Sequence, residues 1–313
     1  MNIIDLFSGC GGMSLGFSNA GHRILASYDN WVPAIECYEL NFAHPIYKKD
    51  LSDVELITQE LNNLNVATPI DLIMGGPPCQ DFSNAGQRLE GDRANLTASF
   101  AEIVTNIAPT WFVMENVDRA HKSNAYAEAR KIFKNSGYGL TEMVLDASKC
   151  GVPQKRKRLF VIGHLGSEDG FLQDMLIDSL SDKSMTVRDY LGASLGVDNY
   201  YRHPRNYNRR GIFSIDEPAP TVRGVNRPVP KGYPGHSGDP VPVTDELRPL
   251  TTRERSLLQT FPEDFHLVGS KTNQEQMIGN AVPVNLATYV GNIINQYSAA
   301  LEMAQEEREI CYG

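Results

Sequence analysis

The sequence predicts an α/β fold: a doubly wound, mostly parallel sheet accompanied by a smaller, loop-rich second domain. Three observations lead there. Short apolar runs alternate with stretches of helical periodicity through the first half of the chain, as in parallel sheets covered by helices on both faces. The residues richest in chemistry, 5–12, Asp29, Cys79 and Glu115, all fall where those runs end, and open parallel sheets bind ligands beyond the carboxyl ends of their strands. After about residue 182 helical periodicity fades, and over 199–242 the chain is dense in Pro, Gly, Asn, Arg and Tyr. Periodicity returns in TTRERSLLQTF and VNLATYVGNIINQYSAALEMAQ.

The first apolar run, NIIDLF, leads to the helical SLGFSNAG. Between them DLFSGCGGMSLGF sets glycines at 9, 11, 12 and 16, so that a ligand can approach the backbone and the amides of a helix N-terminus. Alone, such a loop leaves NAD, ATP and S-adenosylmethionine open, and the P-loop lysine is absent. HRILASYD, ahead of VPAIECYELNF, ends on Asp29. That acid suits ribose hydroxyls or the cap of the next helix, and Trp31 nearby offers a ring for an adenine. The third run, DLIMGG, enters GGPPCQDFS. Proline fixes its backbone angle and glycine opens angles closed to other residues, so 75–78 reads as a stiff turn presenting Cys79 outward. An isolated cysteine is more often a buried structural one, so its surroundings must decide its role. The helical LTASFAEIVTNIA follows, and TWFVMEN, with Glu115 near its end, then precedes YAEARKIFKNSG.

At 313 residues and 41% hydrophobic content, the chain holds one large domain or two. It contains no apolar stretch of membrane-spanning length, and MNIIDLFSGC lacks the pattern of a signal peptide. The expected setting is the cytoplasm. Five cysteines without a Cys-x-x-Cys pair argue against a disulfide framework and against a zinc site. The net charge of -9 is uneven: 149–158 holds five basic residues and no acid, and 200–231 holds seven basic residues against Asp216 and Glu217. A one-sided basic groove on an otherwise acidic protein distributes charge in this way.

The ordered segments DLFSGCGG at 5, KDL at 49, GGPPCQDFS at 75, ENV at 115, GVPQKRKRLFVIG at 151, RPLTTRERSLLQTFPEDF at 248 and QMIGNAVPVNLA at 276 resemble the DNA cytosine-5 methyltransferases over nearly the whole chain. The resemblance implies a Rossmann-like, S-adenosylmethionine-binding catalytic domain over 1–182 plus 273–313, and a target-recognition domain over 183–272. It implies that the Cys79 thiolate adds to cytosine carbon 6. Glu115 would stabilise charge developing on the ring, Arg158 would hold the carbonyl oxygen at position 2, and Arg156 would support that region. The cofactor would touch Phe7, Gly9, Cys10, Gly12, Asp29, Asn30, Asp50, Leu51, Pro78, Leu96, Asn280 and Ala281. Two departures stand out: relatives most often have glutamate at the position of Asp29, and Asn30 replaces a frequent tryptophan while Trp31 follows it.

A cytosine inside a duplex is out of reach, so the base must be flipped. The loop after Cys79 would close over it, with Gln80, Ser83, Arg88 and Arg93 toward the DNA. In the second domain Arg223 and Arg227 are the expected guanine readers, and Arg202, Arg205, Arg209 and Arg210 the expected phosphate contacts. The segment is similar to recognition regions for GC-rich palindromes with a CCGG core. The expected partner is double-stranded DNA on a bacterial nucleoid, methylated by a monomer that either has a cognate restriction endonuclease acting separately or is an orphan regulator. One branch of the family methylates transfer RNA with the same motifs. A silent DNA-binding module and a nicotinamide-dependent dehydrogenase are further alternatives, the latter leaving the cysteine turn unused.

Overall fold

The computed structural model describes residues 1–78 and 95–312. In chain order the elements are β1 (Asn2–Leu6), α1 (Gly12–Asn19), β2 (Arg23–Asp29), α2 (Val32–Glu39), β3 (Ile46–Lys48), α3 (Val54–Ala67), β4 (Leu72–Gly75), α4 (Leu96–Ile107) and β5 (Trp111–Val117). Then come α5 (Asn124–Asn135), β6 (Tyr138–Asp146), β7 (Gln154–Lys155), β8 (Lys157–Leu165), α6 (Gln173–Asp178) and α7 (Val187–Leu191). The last are β9 (Asn199–Tyr201), β10 (Ile212–Ser214), β11 (Ala219–Pro220), α8 (Thr252–Leu258), α9 (Lys271–Asn280) and α10 (Val284–Tyr312). Seven strands form one sheet in the order β3-β2-β1-β4-β5-β8-β6. The pairs from β3 to β5 are parallel, whereas β8 runs antiparallel to both β5 and β6. Among the described residues no helix is long and apolar enough to cross a membrane.

Alternating side chains along the strands feed two cores. Ile4, Ile73, Phe112 and Val161 meet Ile57 of α3, Phe100 of α4 and Phe133 of α5 on one face. Ile3, Leu72, Val113 and Ile162 meet Phe17 of α1, Leu176 of α6 and Val290 of α10 on the other. Helices cover both faces, so the sheet is doubly wound. The chain runs outward through β2 and β3, then restarts at β4 on the opposite side of β1. That reversal opens a crevice beyond the carboxyl ends of β1 and β4, where folds of this kind place a ligand.

Several elements lie outside the sequence expectations. Helix α3 buries only Ile57 and Leu61, too thin an apolar stripe to show as clear periodicity. Strand β6 carries Glu142 and ends on Asp146, and β8 begins within the basic run. In the region rich in Arg and Pro, β9 and β10 pair antiparallel, and Asp239 accepts hydrogen bonds from the Gly211 and Ile212 amides at 3.0 Å each. This pins the base of the arginine-bearing loop 202–211. A separate apolar cluster there joins Val187, Tyr200, Phe213 and Leu250 to Leu258 of α8 and Ile278 of α9.

Helix α1 lies against α10 at a distance only glycine allows. A Cβ on Gly16 would stand 2.4 Å from the Ala287 Cβ and 2.5 Å from the Val284 carbonyl oxygen, and one on Gly12 2.2 Å from the Val282 oxygen. The Thr288 hydroxyl donates to the Gly16 carbonyl at 3.0 Å, closing the contact. Gly16→Ala must therefore push α10 away, costing about 1–3 kcal/mol as an overpacked core substitution. A denaturant midpoint equal to that of the unaltered protein would contradict this packing.

Candidate active site

Beyond the carboxyl ends of β1, β2, β4 and β5 lies a cavity of about 550 Å³, within the range of small-molecule sites. Of the expected cofactor contacts, Phe7, Gly9, Cys10, Gly12, Asp29, Asn30, Pro78, Asn280 and Ala281 line it, as does Trp31. Asp50, Leu51 and Leu96 do not. Asp50 is exposed and accepts from the Ser52 amide and hydroxyl, Leu51 is buried in the core, and Leu96 opens α4. Phe7 adopts a φ of 59°, a left-handed conformation costly for an aromatic residue and typical of functional turns.

Two carboxylates set the polarity of this cavity. Asp29 accepts the Gly9 amide on Oδ2 and the Trp31 amide on Oδ1, each at 2.8 Å. Burial raises its pKa and these amides oppose the rise. Asp29 thus ties the glycine loop to β2, and its oxygens keep lone pairs for ligand hydroxyls. Asp5 also lines the cavity and is 1% exposed, with no hydrogen-bond partner for Oδ1 among the described residues. An orphaned buried acceptor beside a glycine loop fits a ligand that combines sugar hydroxyls with positive charge, as S-adenosylmethionine does.

Glu115 is buried near the end of β5 and lines the cavity wall. Its Oε1 lies 2.8 Å from Arg158 Nε. The N–H does not point along that line, so the contact is an ion pair rather than a linear hydrogen bond. Burial raises the Glu115 pKa, and the charges of Arg158 and Arg156 oppose it. A Cβ on Gly76 would lie 3.2 Å from Glu115 Oε2, so the turn passes directly over the carboxyl group. Asn116 holds that turn by donating from Nδ2 to the Pro77 carbonyl at 2.9 Å. Cys79 lies outside the described residues, as do Gln80, Ser83, Arg88 and Arg93.

Arg156 sits two residues before Arg158 and is wholly buried. Its Nη1 donates to the Val222 carbonyl at 3.0 Å, and its Nη2 donates to those of Gly279 at 2.9 Å and Ala281 at 3.0 Å. Gln154 and Gln259 form a buried pair at 2.7 Å beside it. Gln154 also accepts the Val222 amide, and Gln259 donates to the Ile278 carbonyl. These polar side chains cross-link the loop at 222, the end of α8 and the 278–281 segment.

A second cavity of about 840 Å³ adjoins the first, and Val117, Arg158, Gly279 and Asn280 belong to both walls. Arg202, Arg205, Arg209, Arg210 and Arg223 line it. Burial and the neighbouring Arg223, Arg255 and Arg205 bring the Arg202 pKa down to about 10, and burial with Arg205 and Arg227 lowers that of Arg223. Cations that depress one another form a surface an anion would relieve. Arg210 instead pairs with Glu217 and lies over the Phe213 ring at 4.3 Å. Arg223 donates to the His203 carbonyl and is half-buried, whereas Arg227 is exposed and outside the groove wall.

Several wall residues are absent from the sequence-based set. Asp5 and Asn116 belong to segments recognised for their neighbours, and Lys155, Lys157 and Arg119 extend the groove. The basic run 149–158 signalled the two lysines, but nothing local marks Arg119. Among the described residues there is no cluster of three or more His, Cys, Asp or Glu that could hold a metal ion.

The model of the C-5 cytosine-specific DNA methylase family matches residues 1–296. Type II methyltransferase M.HindV of Haemophilus influenzae is 58% identical over 296 residues, 94% of this chain and 96% of its own length. Type II methyltransferase M.HgiDI of Herpetosiphon aurantiacus is 54% identical over 306 residues, 97% of each chain. The fold is shared with a putative DNA modification methyltransferase encoded within an E. coli prophage, at a TM-score of 0.69 and 24% identity over 96% of this chain and 99% of that one. It is shared too with the S. pombe Dnmt2 methyltransferase, at a TM-score of 0.69 and 20% identity over 95% and 98%. With glycine loop, Glu115–Arg158 pair and family model in register over one chain, the protein belongs to the C-5 cytosine-specific DNA methylases.

Proposed function

We propose that this DNA cytosine-5 methyltransferase modifies one cytosine within a short duplex site, flipped from the helix and attacked by Cys79, as the modification enzyme of a Type II restriction-modification pair. The buried Glu115–Arg158 pair, where the cofactor cavity meets the basic groove, carries the reading. A base extruded from DNA in the groove would enter at that junction.

S-adenosylmethionine is the cofactor of this family, and it supplies an electrophilic methyl group. The residues make cytosine carbon 5 nucleophilic enough to take it. The Cys79 thiolate adds to carbon 6, and electron density moves toward carbon 5 and nitrogen 3. Protonated Glu115 donates to nitrogen 3 and accepts from the exocyclic amine, and Arg158 donates to the oxygen at position 2. Burial favours the protonated Glu115 that this needs. After methyl transfer solvent water takes the carbon 5 proton, the electrons of that C–H bond restore the double bond between carbons 5 and 6, and Cys79 leaves carbon 6 as its thiolate.

In this reading 1–182 with 273–313 forms the catalytic domain and 183–272 the target-recognition domain, and a monomer acts on double-stranded DNA with its endonuclease separate. The site is GC-rich, and a CCGG core is the narrow form of that proposal. Support comes from arginines of the recognition segment on the groove wall, since arginine reads guanine by paired hydrogen bonds in the major groove.

Bisulfite sequencing of plasmid DNA incubated with S-adenosylmethionine should show methylcytosine at one short motif, and none with Cys79→Ser. Methylation confined to transfer RNA would overturn the DNA reading, and a motif without CCGG would overturn that core. Glu115→Gln should slow methylation by about 10²–10⁴-fold, the usual share of a positioned proton donor. Because the folded pKa of Glu115 is raised, activity from its protonated form holds below that pKa and falls as pH rises through it. The Gln variant should lack this alkaline limb, and an unchanged limb would assign it elsewhere. Arg223→Ala and Arg227→Ala should relax base choice, each at one position by about 1–3 kcal/mol. Uniformly weaker binding with unchanged sequence preference would count against both assignments.

A further inference from the structure

Four side chains link the cofactor cavity to the protein surface through hydrogen bonds: Asp5 of β1, Ser14 of α1, Tyr38 of α2 and His44 ahead of β3. Donor accounting fixes the direction of the chain. An ionised carboxylate only accepts, so the Ser14 hydroxyl donates to Asp5 Oδ2 at 2.5 Å. Having spent its proton, Ser14 Oγ accepts from the Tyr38 hydroxyl at 2.7 Å. The Tyr38 oxygen then accepts from His44 Nε2 and from the Ser27 hydroxyl, each at 2.6 Å. Every donor has one acceptor, and the chain runs His44 to Tyr38 to Ser14 to Asp5. Such chains polarise cooperatively away from water.

We propose that Ser14, Tyr38 and His44 are positioning residues for cofactor binding, which hold the Asp5 carboxylate ionised and aimed into the cavity to receive a cationic group. This rests on the cavity being the S-adenosylmethionine site. Asp5 is suited to the task because Ser14 takes Oδ2 while Oδ1 has no protein partner among the described residues. Burial pushes its pKa up to about 7, the Ser14 bond opposes that, and the Asp29 carboxylate on β2 adds to it. Its sheet neighbours Ser27 and Met74 carry no charge. Glu115 on β5 is paired with Arg158, and burial pushes the Cys10 thiol up and keeps it neutral. The ring of His44 packs near those of Tyr38 and Phe42, and burial lowers its pKa, which favours the neutral ring. Its Nε2–H tautomer is the one the chain requires.

The sign follows. A raised carboxyl pKa leaves Asp5 neutral at acidic pH, so cofactor affinity rises as pH passes through the Asp5 pKa. Without the chain, that rise moves to higher pH. The test is a calorimetric titration of the full-length enzyme with S-adenosylmethionine, without DNA, between about pH 6 and pH 8.5, so that binding rather than turnover is read. Tyr38→Phe keeps the ring and removes the link. It should displace the midpoint upward and weaken binding at pH 7 by about threefold to tenfold, the scale of one neutral hydrogen bond, with recovery at the alkaline end. His44→Leu should shift the midpoint in the same direction, and His44→Gln, which retains a donor, should restore it. Asp5→Asn should bind weakly with no pH dependence. A Tyr38→Phe midpoint equal to that of the unaltered enzyme would overturn the chain, and an Asp5→Asn profile that keeps the original slope would overturn the role of Asp5. If the unaltered enzyme binds no S-adenosylmethionine at any pH, the cofactor reading itself fails, a result distinct from both.

Discussion

The Arg156 guanidinium, with no exposed surface, is the joint on which the rest of the site depends. Burying a charge costs several kcal/mol unless its donors are satisfied, and burial lowers the Arg156 pKa. Three backbone carbonyls from two distant segments answer most of that cost, Val222 from one and Gly279 and Ala281 from the wall of the first cavity, while Nε has no partner among the described residues. The same stretch of chain sends Arg158 to Glu115. One short basic run therefore fixes where the Glu115 carboxyl sits and where the loop at Val222 meets the wall of the first cavity.

Electrostatics divides the molecule in a way its net charge of -9 conceals. The groove beside Glu115 gathers arginines close enough to lower one another's pKa. Such a surface gains when phosphate replaces water along it, and the acidic remainder of the protein gives nucleic acid little reason to bind elsewhere. Where an arginine has an acidic partner, as Arg210 has Glu217, its role in the groove is partly structural. Arg223 is committed in a similar way, to the His203 carbonyl.

Much of the architecture was legible because parallel strands leave a strong imprint. β1, β2, β4 and β5 all appear as apolar runs, and each ends at a residue that reaches the cavity or adjoins it. β6 and β8 escaped notice because polar and basic residues interrupt them, and α3 because two buried residues make a faint stripe. At the site, Glu115 and the glycine loop were legible as motifs, while Gln154 and Gln259 were not. These two lie 105 residues apart, and their pairing is set by how α8 docks rather than by any local pattern. Asp50 and Leu96 show the converse: matching a motif position did not place them on the cavity wall.

In the proposed reaction Cys79 forms a covalent bond to cytosine carbon 6 while Glu115 and Arg158 hold the ring. The most direct test is to incubate the enzyme and S-adenosylmethionine with duplex DNA carrying 5-fluorocytosine at the target position. Fluorine cannot leave as the proton does, so release of the enzyme should stop after methyl transfer. The expected result is a protein–DNA adduct of one-to-one mass that survives denaturation and maps to Cys79. Methylated DNA made at the normal target with no trapped adduct, or an adduct on another residue, would contradict it.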